Sequence, residues 1–402
     1  MWEHRTAEAT VTVTADQEPV VEREVVLAQR DHEFLFGCIG FEFIPLANGE
    51  ATGADLARLA ERWFDVFNVA TLPFYWGQFE PERGKPDTER LRRTARWFVE
   101  RGAAVKGHPL AWHTETADWL LGLSDEEIAR AQVDRIRREV ADFHGLIDMW
   151  DVINEVVIMP VFDRYDNGIT RICRGMGRIP MVRMVFDAAR AANPRATLLL
   201  NDFDMSTAYE CLIEGVLAAG VEIDALGLQS HMHQGYWGEE KTLGILDRFA
   251  RYGLPIHFTE TTLVSGDLMP PHIVDLNDHQ VAEWPTTPDG EARQADELVR
   301  HYRTLLSHPS VRAITYWGIA DGGWLGAPGG LVRRDGTPKP AYDALRSLVK
   351  GEWWLPPTTL RTDAEGRVRF SGFLGAYALS VDGRTATFRL DQPGPVTVTV
   401  GV

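Results

Sequence analysis

Cysteine is scarce: Cys38, Cys173 and Cys211 are the only three in 402 residues. Their odd number, wide spacing and lack of any Cys-x-x-Cys pair argue against a disulfide framework or a thiolate zinc site. Cys38 and Cys211 fall in apolar or helical contexts and are expected to be small buried residues. Basic charge is also in deficit, with 41 Lys and Arg against 58 Asp and Glu and a formal net charge of −17. A nucleic-acid backbone or an anionic membrane is therefore not an expected partner, whereas a neutral substrate meets no penalty. No apolar run reaches the roughly 18 residues of a membrane span. The opening MWEHRTAEATVTV lacks a basic start followed by an apolar stretch, so no secretory leader is visible. The expected location is cytoplasmic, or secreted if a leader has been trimmed. A GxGxxG turn is missing too, because FGCIGFEF after the first candidate strand has the wrong spacing.

What is present is an ample supply of core residues, 45% hydrophobic against 25% charged, enough for one large domain or two ordinary ones. Short apolar runs at 34–39, 66–70, 104–108, 147–153, 196–201, 223–229, 255–259 and 312–317 read as strands. Amphipathic patterns near 54–64, 87–102, 124–142, 179–192, 206–219, 241–252, 290–308 and 339–349 read as helices. Ser124 and Glu127 have capping-box spacing, and Pro180 and Pro340 suit a first helical turn. Eight strand–helix units in strict alternation predict an α/β fold, a closed (β/α)8 TIM barrel, over residues 31–350. Residues 1–30 and 351–402 instead contain stretches that alternate with period two between turn residues, and SVDGRTATF carries an Asp-Gly hairpin turn. These ends are expected to meet in a small accessory β-sandwich, since chain termini often lie close together.

In a parallel barrel the reactive groups sit at the C-terminal ends of the strands. Those ends carry His108, Asn154 and Glu155, Asn201 and Asp202, Gln229 and His231, Glu260, and Trp317. Strands 4 and 7 lie across the mouth from one another, so Glu155 and Glu260 can converge on one bound molecule. Paired carboxyls suit cleavage of a glycosidic bond, in which one protonates the leaving oxygen and the other attacks or activates water. A gap of about 5–5.5 Å retains the anomeric configuration, and one of about 6.5–9.5 Å inverts it.

Eight stretches carry a wider resemblance: EPERG (80–84), GHPLAWHTETADWL (107–120), WDVINE (150–155), LLNDFD (199–204), IDALGLQSHMH (223–233), FTET (258–261), ITYWGIADGGWL (314–325) and PKPAYDAL (338–345). In this order the chain resembles glycoside hydrolase family 10, the xylanase family of retaining (β/α)8 enzymes. The resemblance implies hydrolysis of β-glycosidic bonds by double displacement, endo-1,4-β-xylanase-like, with Glu155 as acid/base and Glu260 as nucleophile. It implies that Asn154 holds the sugar 2-hydroxyl, that His108, Gln229 and His231 line the same subsite, and that Trp112, Trp317 and Trp324 wall it. No cofactor or metal is implied, and the partner is a carbohydrate or glycoside.

The chain departs from the family where Glu-Asn-Glu-Met-Lys-Trp is usual after strand 2; here it reads TLPFYW (71–76). Trp76 is kept, while the sugar-binding Asn and Lys become Leu72 and Tyr75. Tyr75 and Trp76 thus complete the candidate substrate set at an altered edge. Losing polar donors should relax specificity for the hydroxyls they met, so a short oligosaccharide or a glycoside with an apolar aglycone is as well suited as xylan. Thr262 stands where an aspartate usually orients His231. A non-catalytic carbohydrate-binding protein on a degenerate barrel is the competing reading, supported only by TLPFYW. His108, His113, His231 and His233 could instead serve a metal-dependent hydrolase, but the His-x-His such a site uses normally opens the barrel, and here it falls at strand 6 with no Asp in the expected place after strand 8. Trp63 and Trp97, on amphipathic helices, are expected to be packing residues.

Overall fold

The computed structural model describes residues Trp2–Val402. Contacts divide the chain into two compact units, residues 36–339 and residues 1–35 together with 340–402. Helix Pro340–Ser347, which the sequence pattern assigns to the barrel, groups with the terminal segments.

Eight parallel strands organise the larger unit: β1 Leu35–Ile39, β2 Val69–Pro73, β3 Ala104–His108, β4 Met149–Asn154, β5 Thr197–Asp202, β6 Ala225–Met232, β7 Ile256–Leu263 and β8 Val311–Tyr316. They close into a barrel in chain order, with β8 returning to β1. Helices on the outside cover the second face of each strand, which is why the strands read as unbroken apolar runs. All eight residues of β7 and all but the first of β4 and β5 are buried. Strand β2 begins three residues later than its apolar run suggests, because Val66 closes helix Ala54–Val66. Asn68 fills the gap, its side-chain oxygen accepting from the Phe36 N–H at 2.9 Å. Helix Asp125–Asp142 starts on the expected capping box of Ser124 and Glu127. A helix at Gly168–Met176, capped by Asn167, was not foreshadowed by the eightfold pattern.

Among the register shifts in the barrel, two stand just ahead of the candidate carboxylates. The β4–β5 pairing shifts between Asp151 and Ile153, and the β6–β7 pairing shifts between Phe258 and Glu260. An extra residue in a strand re-aims the side chains that follow.

The smaller unit contains two four-stranded sheets. One places Thr6–Ala15 between Arg367–Phe373 and Gly394–Gly401, with Glu18–Pro19 at its end; the other runs Thr358–Arg361, Glu24–His32, Gly375–Val381, Arg384–Leu390. Alternate residues from both, among them Val11, Val13, Leu27, Leu379 and Leu390, share one core, as in a sandwich. The Asp-Gly turn is where expected: Asp382 and Gly383 take φ +50° and +78°, joining two strands by a two-residue loop.

Trp63 is fully buried against Phe43, Phe64 and Phe98, and Trp97 stacks on Phe43, so both are packing residues. Cys38 and Cys173 are buried, but Cys211 is exposed: it lies on the solvent side of helix Thr207–Ala218, whose apolar stretch misled the sequence reading. Among the described residues no helix is long and apolar enough to cross a membrane.

Candidate active site

Glu155 follows β4 directly and takes φ +57°, a left-handed conformation that costs a non-glycine residue about 1–3 kcal/mol. Two backbone bonds hold it there, from its own N–H to Asn201 O at 2.9 Å and from the Met159 N–H to its carbonyl at 3.2 Å. The carboxyl meets three N–H donors. Trp112 Nε1 donates to Oε2 at 2.9 Å, and Asn154 Nδ2 and Gln229 Nε2 donate to Oε1 at 3.2 and 3.1 Å. Burial and then the charge of Glu260 outweigh these donors, raising the Glu155 pKa to about 7.

Glu260 sits inside β7. Asn201 Nδ2 donates to its Oε1 at 3.0 Å, and His231 Nε2 lies 3.1 Å from Oε2. His108 Nε2 stands 3.8 Å from Oε1. Burial disfavours the ionised form here as well, but the positive environment of His108 and His231 overrides it and holds the carboxyl below its ordinary range. The two carboxyls are joined through side-chain amides, since Asn201 Nδ2 also donates to Asn154 Oδ1 at 2.8 Å. They therefore belong to one hydrogen-bonded network and have opposite preferences for the proton.

The surrounding shell fixes these groups. Asp151, inside the barrel below Glu155, binds Lys106 Nζ and His108 Nδ1, each at 2.7 Å. A carboxylate only accepts, so Nδ1 of His108 carries a proton and Nε2 faces Glu260. Thr262 takes over the orienting task, with its hydroxyl 3.0 Å from His231 Nδ1. That contact and the one to Glu260 engage both ring nitrogens and fix how the ring is turned. Asp202, fully buried, accepts from the Val157 and Asp204 N–H groups, which ties down the chain after Glu155; burial raises its pKa to about 8.

Of the other candidate residues, Trp317 meets His108, His231 and Phe41 edge-on, with centroids 5.2, 6.0 and 5.9 Å apart. Trp324 lies 4.6 Å from His231 and is 37% exposed, which leaves a ring face available. Tyr75 packs against Trp112, His108 and Phe41, with its phenol pushed well above its usual pKa by burial and then by Glu260 and Glu155. The altered edge is thus an aromatic corner that joins the site. Leu72 is fully buried and presents nothing to a ligand. Trp76 is the exception among the candidates. Only 4% exposed, it donates to Glu80, lies under the Arg135 guanidinium and meets Trp119 edge-on, away from the ring around the two carboxyls. The short helix Trp76–Phe79 turns it there.

Sequence reasoning placed Asn201 at a reactive strand end without giving it a role, and did not single out Thr259 or Asp151. Thr259 Oγ1 donates to Asn201 Oδ1 at 2.6 Å, which orients the amide that links the two carboxyls. The position of Asn201 at the end of β5 was the available signal. His231 has both ring nitrogens engaged, and among the described residues no group of three or more His, Cys, Asp or Glu is arranged to hold a metal ion.

Comparison with known proteins agrees with this geometry. The family model for glycosyl hydrolase family 10 matches residues 52–348. Endo-1,4-beta-xylanase B of Thermotoga neapolitana is 28% identical over 354 residues, covering 79% of this chain and 95% of that protein. The anti-sigma-I factor RsgI6 of Acetivibrio thermocellus is 29% identical over 327 residues, covering 79% of this chain but 38% of its own length. Among solved structures, xylanase 10B of Thermotoga petrophila in complex with xylobiose superposes with a TM-score of 0.64 at 22% identity, covering 80% of this chain and 95% of that one.

Proposed function

The chain belongs to glycosyl hydrolase family 10, and from that premise we propose that it is a retaining β-glycoside hydrolase acting on short xylose-based glycosides. The observation that carries this reading is the opposite protonation preference of two coupled carboxyls linked through Asn154 and Asn201: Glu155 is raised to about 7 and Glu260 is lowered. Glu155 gives its proton to the leaving oxygen while a Glu260 oxygen attacks the anomeric carbon, and the bond between that carbon and the leaving oxygen breaks. In the second half the ionised Glu155 takes a proton from water, the water oxygen bonds to the anomeric carbon, and the ester to Glu260 breaks. Asn201 and His231 orient Glu260 for its attack in the first half and its departure in the second. Trp112, Trp317 and Trp324 offer apolar faces to the C–H faces of the sugar. The exchange of two polar positions for Leu72 and Tyr75 supports a short substrate over a long one.

Hydrolysis of aryl β-xyloside and xylo-oligosaccharides, followed by NMR from the first minutes, tests this. The β-anomer of the released sugar should appear first. The α-anomer first would overturn the retaining assignment, and binding without product after long incubation would leave only a carbohydrate-binding protein.

The pH profile is a separate prediction. Activity needs Glu260 ionised and Glu155 protonated. As pH rises, kcat/KM should increase through a pKa below the ordinary glutamate range and then fall through about 7 as Glu155 loses its proton. In Glu155→Gln the fall near 7 should vanish from whatever activity remains on a substrate with a good leaving group.

A further inference from the structure

The loops after β4 and β7 continue from the two strands that carry the carboxyls, and they are joined to each other. Arg164, in the loop after β4, pairs with Asp275 at 2.9 Å and Asp278 at 2.6 Å in the loop after β7. Each side of this bridge is anchored back to the site. On the β4 side, Phe162 packs on Tyr165 and on His113, with centroids 4.9 and 4.5 Å apart. His113 adjoins Trp112, whose indole binds Glu155. On the β7 side, Trp324 Nε1 donates to Asn277 Oδ1 at 3.3 Å, and the same indole lies on His231, which binds Glu260. The β7 loop is no loose flap: Val264, Met269, Trp284 and Ala327 form a small core beneath it, with Ile273 and Leu276 packed on. An unbroken path of contacts therefore leaves Glu155, crosses from one loop to the other and returns to Glu260.

We propose that this ion-paired arch sets the chain length the enzyme accepts. With the arch closed, a glycan reaches the carboxyls only end-first, so internal bonds of a long chain are excluded while small glycosides enter freely. The inference rests on the hydrolase reading and adds which residues limit its substrates. The three charged side chains are 39%, 39% and 60% exposed, so the latch is held by weak, salt-sensitive pairs and can open.

The test compares kcat/KM for xylohexaose and for an aryl β-xyloside in wild type, Arg164→Ala and the double variant Asp275→Asn/Asp278→Asn. Wild type should release products only from the ends of xylohexaose; both variants should also cut its internal bonds, gain on the order of tenfold on it, and stay within about twofold of wild type on the aryl xyloside. Salt near 1 M should raise the wild-type rate on xylohexaose and leave the variants unchanged, because such pairs are then screened. An unchanged ratio of the two substrates in both variants overturns the proposal. If the wild type cleaves neither substrate, the hydrolase reading is what has failed. The arch is then read without any sugar by hydrogen exchange of residues 272–285, which should quicken in Arg164→Ala; unaltered protection overturns it.

Discussion

Glu155→Ala should lose about 10²–10⁴ in kcat on a xyloside with a poor leaving group, the range expected for removal of a general acid. Much less should be lost when the leaving group needs no proton. Azide should then recover turnover by attacking the sugar–Glu260 ester, giving a β-glycosyl azide. Glu260→Ala should be silent on either leaving group, since the covalent intermediate is gone. Azide can occupy the space of the lost carboxylate and attack directly, so its product should be the α-glycosyl azide. The two variants thus separate the roles by product stereochemistry rather than by the size of the loss. Near-normal turnover by either, with unaltered circular dichroism, would remove both assignments.

The largest effect on stability is expected at Asp151. Its carboxylate is 0% exposed and is shared by Lys106, 3% exposed, and His108. Asp151→Ala leaves a buried ammonium without its partner and should cost about 3–5 kcal/mol, read as a fall in the urea midpoint at constant slope. Replacing both ends, Lys106→Met with Asp151→Leu, should recover most of that loss, because a well-packed apolar pair avoids the desolvation that the ion pair carries. Burial raises the Asp151 pKa, but the Lys106 charge and the His108 bond override it, so its folded-state pKa lies below the unfolded value. The stabilisation is therefore complete above the unfolded pKa and is lost as pH falls through the folded one. Wild type and Asp151→Ala should converge in stability on that acid side. No convergence would mean that the ion pair is not the source.

The barrel was legible because a closed parallel sheet imposes a repeated signal, an apolar run followed by an amphipathic one, eight times. Glu155, Glu260, His108, Gln229 and His231 were legible because each is a polar residue at the end of such a run. What sequence did not show depends on details finer than that repeat. The shifts at Asp151/Ile153 and Phe258/Glu260 leave no mark in apolar periodicity, yet they help set where both carboxyls point. Trp76 follows β2 as a site residue would, but one helical turn carries its indole onto Arg135 and Glu80. Tyr75, expected in the substrate set at the altered edge, packs on Trp112 and His108, contacts that periodicity alone does not show. Arg164 and Asp275 are more than a hundred positions apart and sit in polar loops, where charge is ordinary and only coordinates can reveal a pair.

Strand Thr6–Ala15 lies parallel to Gly394–Gly401, with Ala7 opposite Gly394. Translation at about 5–20 residues per second separates the emergence of these partners by roughly 20–80 s. During that interval the strand lacks both of its long neighbours, since Arg367–Phe373 is also made late. Apart from the short pairing with Glu18–Pro19, its backbone edges stay bare while residues 36–339 are already available to fold. Such an edge is an invitation to pair with another chain, and a slow or stalled ribosome would lengthen the exposure.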